Sequence, residues 1–363
     1  MPRQLLLFGA SNFSKIKDEP VAEENMGKKY TLLSLFTGCG GLDLGFRGDF
    51  SFLGKKYSRR DFEILWANDI NPDACESFRN HFDEDIVCGD IRFILAGKVP
   101  GKSIPAQVDV VLGGFPCQDF SHAGKRLGFD SKRGVLYQSM AEVVRRTKPL
   151  VFMAENVRGL LTMNNGGVIN TIKKDFGKLG YHVEHKLLLA ADYGVPQNRE
   201  RVIMIGTKKS ILPPFEYPNP SVDQAHRVNL KEALGDLENL PAGEAPNHYW
   251  SCAKKNKGQG NSVVSPFKPG PTMRAEHHGN IEWHWNGKRR LSAREAARIQ
   301  SFPDDFVFYP STSAAYRQIG NAVPPVLGWH IATAVQQFLN KYLASKGVKN
   351  DSCHRGGRLL LKV

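Results

Sequence analysis

One residue of this chain is a natural nucleophile. In "VDVVLGGFPCQDFS", Val108 to Ser121, an apolar run stops at two glycines and presents Cys117 between Pro116 and Gln118. A thiol attacks only as its thiolate, which at neutral pH is a small fraction of a free cysteine, so the site must supply positive charge and backbone N–H donors. Pro116 fixes the backbone angle just before the sulfur. A thiol hydrolase would also need a partnered histidine, and His122 on the following loop has no obvious orienting carboxylate. That loop, "QDFSHAGKRLGFDSKRGVLY", carries Lys125, Arg126, Lys132 and Arg133 among glycines.

A second constellation lies upstream. "LLSLFTGCGGLDLGF" reads as a strand, a glycine-rich turn and a helix start, in which Gly38, Gly40 and Gly41 let backbone approach a ligand beside unpaired helix N–H groups. It departs from the dinucleotide pattern, because Asp43 stands where the third glycine would be. Asp69 in "LWANDIN" is placed to hold ribose hydroxyls, and Asp90 in "CGDI" to accept from an adenine amino group. Each alone reads equally as a loop cap. Together they point to an adenosine-containing ligand.

These residues need a frame. Short apolar strands alternate with amphipathic stretches: residues 31–36, 62–67, 108–112, 150–155, 183–191 and 201–206 read as strands. Between them, "NPDACESFRNHF" opens with Asn71 as N-cap and Pro72 at the first helical position, and "GVLYQSMAEVVRRTK" and "VINTIKKDFGKLG" are further helices. The alternation predicts an α/β fold, a Rossmann-like doubly wound, mainly parallel sheet with helices on both faces. From Thr207 to Lys288 the pattern gives way to Pro, Gly, Asn, aromatic and histidine residues, predicting a second, smaller irregular domain. Regular structure resumes at "RRLSAREAARIQSFPDDF", with Ser292 and Glu295 in capping-box spacing, and ends in a helix from "PPVLGWHIATAVQQFLNKYLAS". The expected layout is a loosely ordered leader (1–28), a discontinuous main domain (29–206 and 289–345), the irregular domain (207–288) and a tail (346–363).

Composition narrows the partners. The 363 residues carry 49 Lys and Arg against 36 Asp and Glu, a net charge of +13, which favours a polyanion. No membrane span is expected, since no stretch approaches the required length of apolar sequence. The six cysteines form no C-x-x-C pair, consistent with reduced thiols and a cytoplasmic location. His248, Cys252, His277, His278 and His284 fit no common zinc-ligand spacing, so no metal is expected.

Six segments occur in the order and approximate spacing of one family: "FTGCGG", "GGFPCQDFS", "ENVRGL", "QNRERVIMIG", "RLSAREAARIQSFP" and "QIGNAVPP". The chain thereby resembles the DNA (cytosine-5) methyltransferases over residues 30 to 206 and 289 to 345. The resemblance implies the class I methyltransferase version of the fold, S-adenosylmethionine as methyl donor, and double-stranded DNA as partner, the enzyme acting as a monomer in association with the nucleoid. Cys117 would add to carbon 6 of cytosine, making carbon 5 nucleophilic. Glu155, in "AENVRG", would contact ring N3 and the exocyclic amine, while Arg199 and Arg201 would supply positive charge and hold base and phosphate. For the donor, Phe36 would lie against the adenine, Ile70 would cover its other face, Asp69 would hold the ribose and Asp90 the amino group. Gly38, Gly40, Gly41, Ile91 and Pro116 would line the same pocket, and Asn321 would approach the methionine end. At position 70 a larger ring is common in the family.

A base inside a duplex must be extruded before it can react, and something else must read its neighbours. Residues 207–288 stand where this family keeps its target-recognition domain. Within 247–288, six Lys and Arg face two Glu, with Tyr249, Trp250, Phe267, Trp283 and Trp285 interleaved. Arg274, following a Thr272-Met273 pair like the dipeptide of such domains, is a candidate reader of base edges. The aromatics alternatively form the small domain's core. Two other functions compete. The branch of the family that methylates transfer RNA usually carries Cys-Phe-Thr, which is absent here, and a DNA-binding protein without catalysis would not need Cys117, Glu155 and the two arginines.

Overall fold

The computed structural model describes residues 29–82, 84–116, 135–211, 214–254, 260–275 and 281–346. The chain opens with β1 (Tyr30–Leu35) and α1 (Gly41–Arg47), then the hairpin β2 (Phe50–Phe52) and β3 (Lys55–Tyr57). Leu53 and Gly54 at its tip both have positive φ (47° and 75°), as a two-residue turn matched to strand twist requires. Next come β4 (Phe62–Asp69), α2 (Pro72–His81), β5 (Ile86–Cys88), α3 (Ile91–Leu95), β6 (Val110–Gly113), α4 (Val135–Thr147), β7 (Val151–Val157) and α5 (Gly167–Lys178). β8 (Tyr181–Leu189) and β9 (Glu200–Lys208) complete a seven-stranded sheet of order β5-β4-β1-β6-β7-β9-β8. β5, β4, β1, β6 and β7 are mutually parallel; β9 runs against them, and the edge strand β8, antiparallel to β9, runs in their direction again.

Both faces of this sheet are covered, which is why its strands read as continuous apolar runs. Alternate residues serve opposite layers. Leu32, Leu112, Met153 and Ile205 face one core with Phe46 of α1 and Phe78 of α2, whereas Leu33, Val111, Phe152 and Met204 face the other with Met140 of α4 and Phe176 of α5. Strand order reverses between β1 and β6, so a crevice opens outside their carboxyl ends. The expected α/β doubly wound, mainly parallel sheet is the one observed.

Helix ends follow the sequence signals. Asn71 caps α2 through Oδ1, accepting from the N–H groups of Asp73 (2.9 Å) and Ala74 (3.4 Å). After α6 (Leu230–Leu234), α7 (Ala293–Ile299) starts with the reciprocal Ser292–Glu295 capping box. α8 (Thr312–Asn321) and α9 (Pro325–Ser345) then return the chain to the first layer, where a Cβ on Gly45 of α1 would lie 2.6 Å from the carbonyl carbon of Gly328 on α9. Only glycine permits that crossing. No helix among the described residues is long and apolar enough to cross a membrane.

The described residues between Thr207 and Lys288 have little regular structure, yet Phe215, Leu230, Leu234, Val264 and Met273 are buried in the same apolar cluster as α1 and α9. The aromatics of this stretch differ in burial. Trp250, Trp283 and Trp285 are partly buried under Arg289, Arg290 and Lys231 at 4.6, 5.0 and 5.6 Å. Phe267 and Tyr249 are 82% and 52% exposed.

Asp43 carries a pH-dependent cost. It is buried in the first turn of α1, and burial pushes its carboxyl up to about 7, with Ser34 offsetting part of the rise. A folded-state value above the ordinary 3.8 means that the native chain binds this proton more tightly than the unfolded chain does. Stability from this group is therefore present at low pH and lost as pH rises through about 7. Asp43→Asn is expected to remove that loss: the variant's urea midpoint should exceed that of the parent at pH 8, by less as the pH falls, and converge with it only below the ordinary value of 3.8. Parallel curves would show that Asp43 does not titrate in this way.

Candidate active site

The parallel strands deliver Phe36, Asp69, Gly89 and Gly114 to one edge, and β9, running the other way, begins at that edge. At the turn after β1, Phe36 and Gly38 both have positive φ (54° and 59°), and a Cβ on Gly38 would meet nothing within 4 Å. Gly40 (φ 91°) is held by packing instead, since a Cβ there would strike Phe82 at 2.4 Å. Asp69 braces the turn. Its Oδ2 accepts from the N–H of Gly38 (2.8 Å) and its Oδ1 from that of Asn71 (2.8 Å). Burial raises the Asp69 carboxyl, and these N–H groups pull it partly back.

The flanking residues differ in what they present. Ile70 is 66% exposed, whereas Ile91 is 2% exposed and its side chain belongs to the second core. Asp90 is both cap and ion-pair partner: Oδ1 accepts from the N–H of Arg92 (2.9 Å), and the Arg92 guanidinium, gripping both oxygens, holds the carboxyl below its ordinary value. Asn321 ends α8 and is exposed. A Cβ on Gly41 would lie 2.6 Å from the carbonyl oxygen of Val323, so the turn after α8 rests on the glycine turn. The structure thus gathers Phe36, Gly38, Gly40, Gly41, Asp69 and the Asn321 turn.

The second half of the site lies on β6, β7 and β9. Cys117 and the loop to residue 134 fall outside the described residues, but the strand leading to them is well fixed. Asn156, 3% exposed, donates from Nδ2 to the carbonyl oxygen of Phe115 (2.9 Å), and Pro116 follows, exposed. Glu155 pairs in register with Ile203, which puts Arg201, two residues earlier on β9, on the same face. Arg201 Nε lies 2.7 Å from Glu155 Oε1, with the two side chains 10% and 12% exposed. A Cβ on Gly114 would come within 3.3 Å of Glu155 Oε2, so the glycine before Phe115 leaves room for the carboxylate. A nearly buried carboxylate held by a guanidinium therefore stands beside the strand end that leads to the cysteine.

Arg199 is placed differently from Arg201. It is 1% exposed and donates to the carbonyl oxygens of Met273 (2.8 Å), Gly320 (3.0 Å) and Ala322 (3.0 Å). Burial pushes its guanidinium well below the ordinary value, Arg201 adds to the effect, and Glu155 opposes it. Gln197 Oε1 accepts from the N–H of Met273 (2.9 Å), its Nε2 donates to Gln300, and Gln300 Nε2 donates to the carbonyl oxygen of Ala322 (2.5 Å). Asn156, Gln197 and Gln300 are not singled out by the sequence reading, although each sits within a motif.

Among the other described cysteines, Cys39 and Cys75 are buried, and Cys88 and Cys252 are exposed. Burial pushes the Cys39 and Cys75 thiols up. His248 is occupied by Ser292 Oγ (3.0 Å) and the carbonyl oxygen of Leu240 (3.1 Å), and among the described residues no cluster of His, Cys, Asp and Glu could hold a metal ion.

Comparison with known proteins gives this arrangement its place. The model of the C-5 cytosine-specific DNA methylases matches residues 30–265 and 247–337. The Type II methyltransferase M.NgoFVII of Neisseria gonorrhoeae is 38% identical over 328 residues, covering 82% of this chain and 84% of that protein. M.BsuRI of Bacillus subtilis, also a Type II methyltransferase, is 34% identical, covering 92% and 86%. Among solved structures, the S. pombe Dnmt2 methyltransferase superposes with a TM-score of 0.60 at 16% identity, covering 86% of this chain and 99% of that one, and so shares the fold. With its motifs in series on such a sheet, the chain belongs to the C-5 cytosine-specific DNA methylase family and is a DNA cytosine-5 methyltransferase.

Proposed function

We propose that this chain transfers the methyl group of S-adenosylmethionine to carbon 5 of cytosine in a specific sequence of duplex DNA, by thiolate addition to the flipped-out base, as the methylase of a restriction-modification system. The observation that carries this reading is the Glu155–Arg201 pair, 2.7 Å apart, beside Gly114 at the strand end that leads to Cys117. The turn at Gly38 suits the donor: it is open where a Cβ would stand, and it is braced by a buried carboxylate. Asp69 and Phe36 would hold the adenosine there, with Ile70 over its outer side and Asn321 at the methionine end. Asp90 would have to share its oxygens with Arg92 to reach an amino group. When bound, S-adenosylmethionine supplies an electrophilic methyl group.

The remaining steps belong to the chain's own residues. Cys117 Sγ bonds to carbon 6, and the electron pair of the C5–C6 double bond moves into the ring. Glu155 meets that charge at N3 with a proton, while Arg201 fixes the carboxyl group from behind. Carbon 5 takes the methyl group, releasing S-adenosylhomocysteine; N3 returns its proton to Glu155, the C5 proton leaves to a base such as water, and the C6–S bond breaks to restore the ring and the Cys117 thiolate. Residues 207–288, with Arg274 exposed, would form the target-recognition domain and read the neighbouring bases.

Duplex DNA carrying 5-fluorocytosine at the target tests the covalent step. Fluorine cannot leave as the proton does, so the enzyme, DNA and S-adenosylmethionine should give a complex that survives denaturing electrophoresis. Absence of adduct on DNA that the enzyme methylates in its unfluorinated form would refute thiolate addition.

A further inference from the structure

We propose that Arg199 is a positioning residue for the methyl donor: its guanidinium fixes the turn bearing Asn321, so that the donor's amino-acid end is held, and it does not itself contact the base. The inference rests on the reading of S-adenosylmethionine as donor. Nη2 donates to the carbonyl oxygens of Gly320 and Ala322, the two residues that flank Asn321, each at 3.0 Å. Nη1 donates to the carbonyl oxygen of Met273 at 2.8 Å, which anchors the other side of the fork. The side chain is 1% exposed and both terminal nitrogens are engaged; the one donor without a partner, Nε, is buried, so the guanidinium presents no exposed group to an everted base.

The choice of residue fits a geometric task. Among the described residues Arg199 has no ion-pair partner, so a charge is buried on carbonyl oxygens alone, which is a costly way to stabilise a loop. A planar fork, however, sets two directions at once. Gln300 grips the carbonyl oxygen of Ala322 at 2.5 Å, and a Cβ on Gly320 would stand 2.1 Å from the carbonyl carbon of Arg274. The Asn321 turn is therefore clamped against residues 273–274 and has no slack. The glycine turn after β1 and Asp69 at the end of β4, which would hold the adenosine, share none of these hydrogen bonds; they meet the Asn321 turn only by the packing of Gly41 against Val323.

That separation supplies the test. Arg199→Lys keeps the charge but serves one direction only. Calorimetric titration should show affinity for S-adenosylhomocysteine falling by about tenfold or more, the scale of a lost charged hydrogen bond. Affinity for 5′-methylthioadenosine, which lacks the amino-acid end, should stay within about twofold, as for independent sites. Gln300→Met, which removes a neutral bond to the same turn, should give the same selective loss to a smaller degree, and it decides the matter alone if Arg199→Lys does not fold. Equal losses for both ligands, or none for either, would overturn the role of Arg199. If the parent protein bound neither ligand, the donor assignment itself would fail instead.

Discussion

Cys117→Ser is expected to abolish methyl transfer, lowering kcat by on the order of 10⁴-fold or more, as removal of a nucleophile does elsewhere, while leaving affinity for S-adenosylhomocysteine within about twofold. A serine hydroxyl is far less acidic than a thiol and has no base beside it in the sequence. The scaffold around position 117 should not change. Asn156 holds the carbonyl oxygen of Phe115 at 2.9 Å, and Pro116 precedes the substituted residue whichever atom it carries. The turn expected to hold the donor depends on Asp69 and Gly38, which contribute nothing to that bond. Methyl incorporation from labelled donor and calorimetric titration measure the two effects separately. Substantial transfer by the serine variant would remove the nucleophile from the mechanism; loss of both transfer and donor affinity would mean that the substitution had disturbed the edge as a whole.

How much of this could be read beforehand depended on the kind of interaction. Asn71-Pro72 and Ser292/Glu295 act within one turn of chain, and both caps occur where expected. The buried strands announced themselves because each has two apolar faces. β5, three residues long, and the β2–β3 hairpin were missed, since neither is long enough to show a period. The Glu155–Arg201 contact depends on the register of β7 against β9, which places residues 46 apart in sequence on one face; no local pattern encodes it. Arg199 and Arg201 looked alike as two arginines in one motif. Arg201 lies on β9 facing Glu155, while Arg199 precedes the strand, where the chain turns inward toward Met273 and Ala322. Asp90 takes the loop-cap role that its sequence left open, and the arginine two residues on engages it as well, which no local pattern announced.

Glu155 and Arg201 should respond to substitution in opposite ways. Glu155→Gln keeps the shape: the amide oxygen can take the place of the carboxylate oxygen that now lies 2.7 Å from Arg201 Nε. The fold should survive, but an amide cannot exchange a proton with cytosine N3, so kcat should fall by about 10²- to 10⁴-fold, the usual worth of a positioned acid. Arg201→Met does the reverse. It leaves a carboxylate, 12% exposed, without its cation, and stranding one member of a nearly buried pair costs about 3–5 kcal/mol. Urea unfolding should show this loss in Arg201→Met and little change in Glu155→Gln. The double variant discriminates further. With the carboxylate gone, methionine at 201 strands nothing, so Glu155→Gln/Arg201→Met should be more stable than Arg201→Met alone although it is no more active. If Arg201→Met were as stable as the parent, the pair would not be organising this edge, and the case for Glu155 as a carboxyl group held ready for the base would lose its structural support.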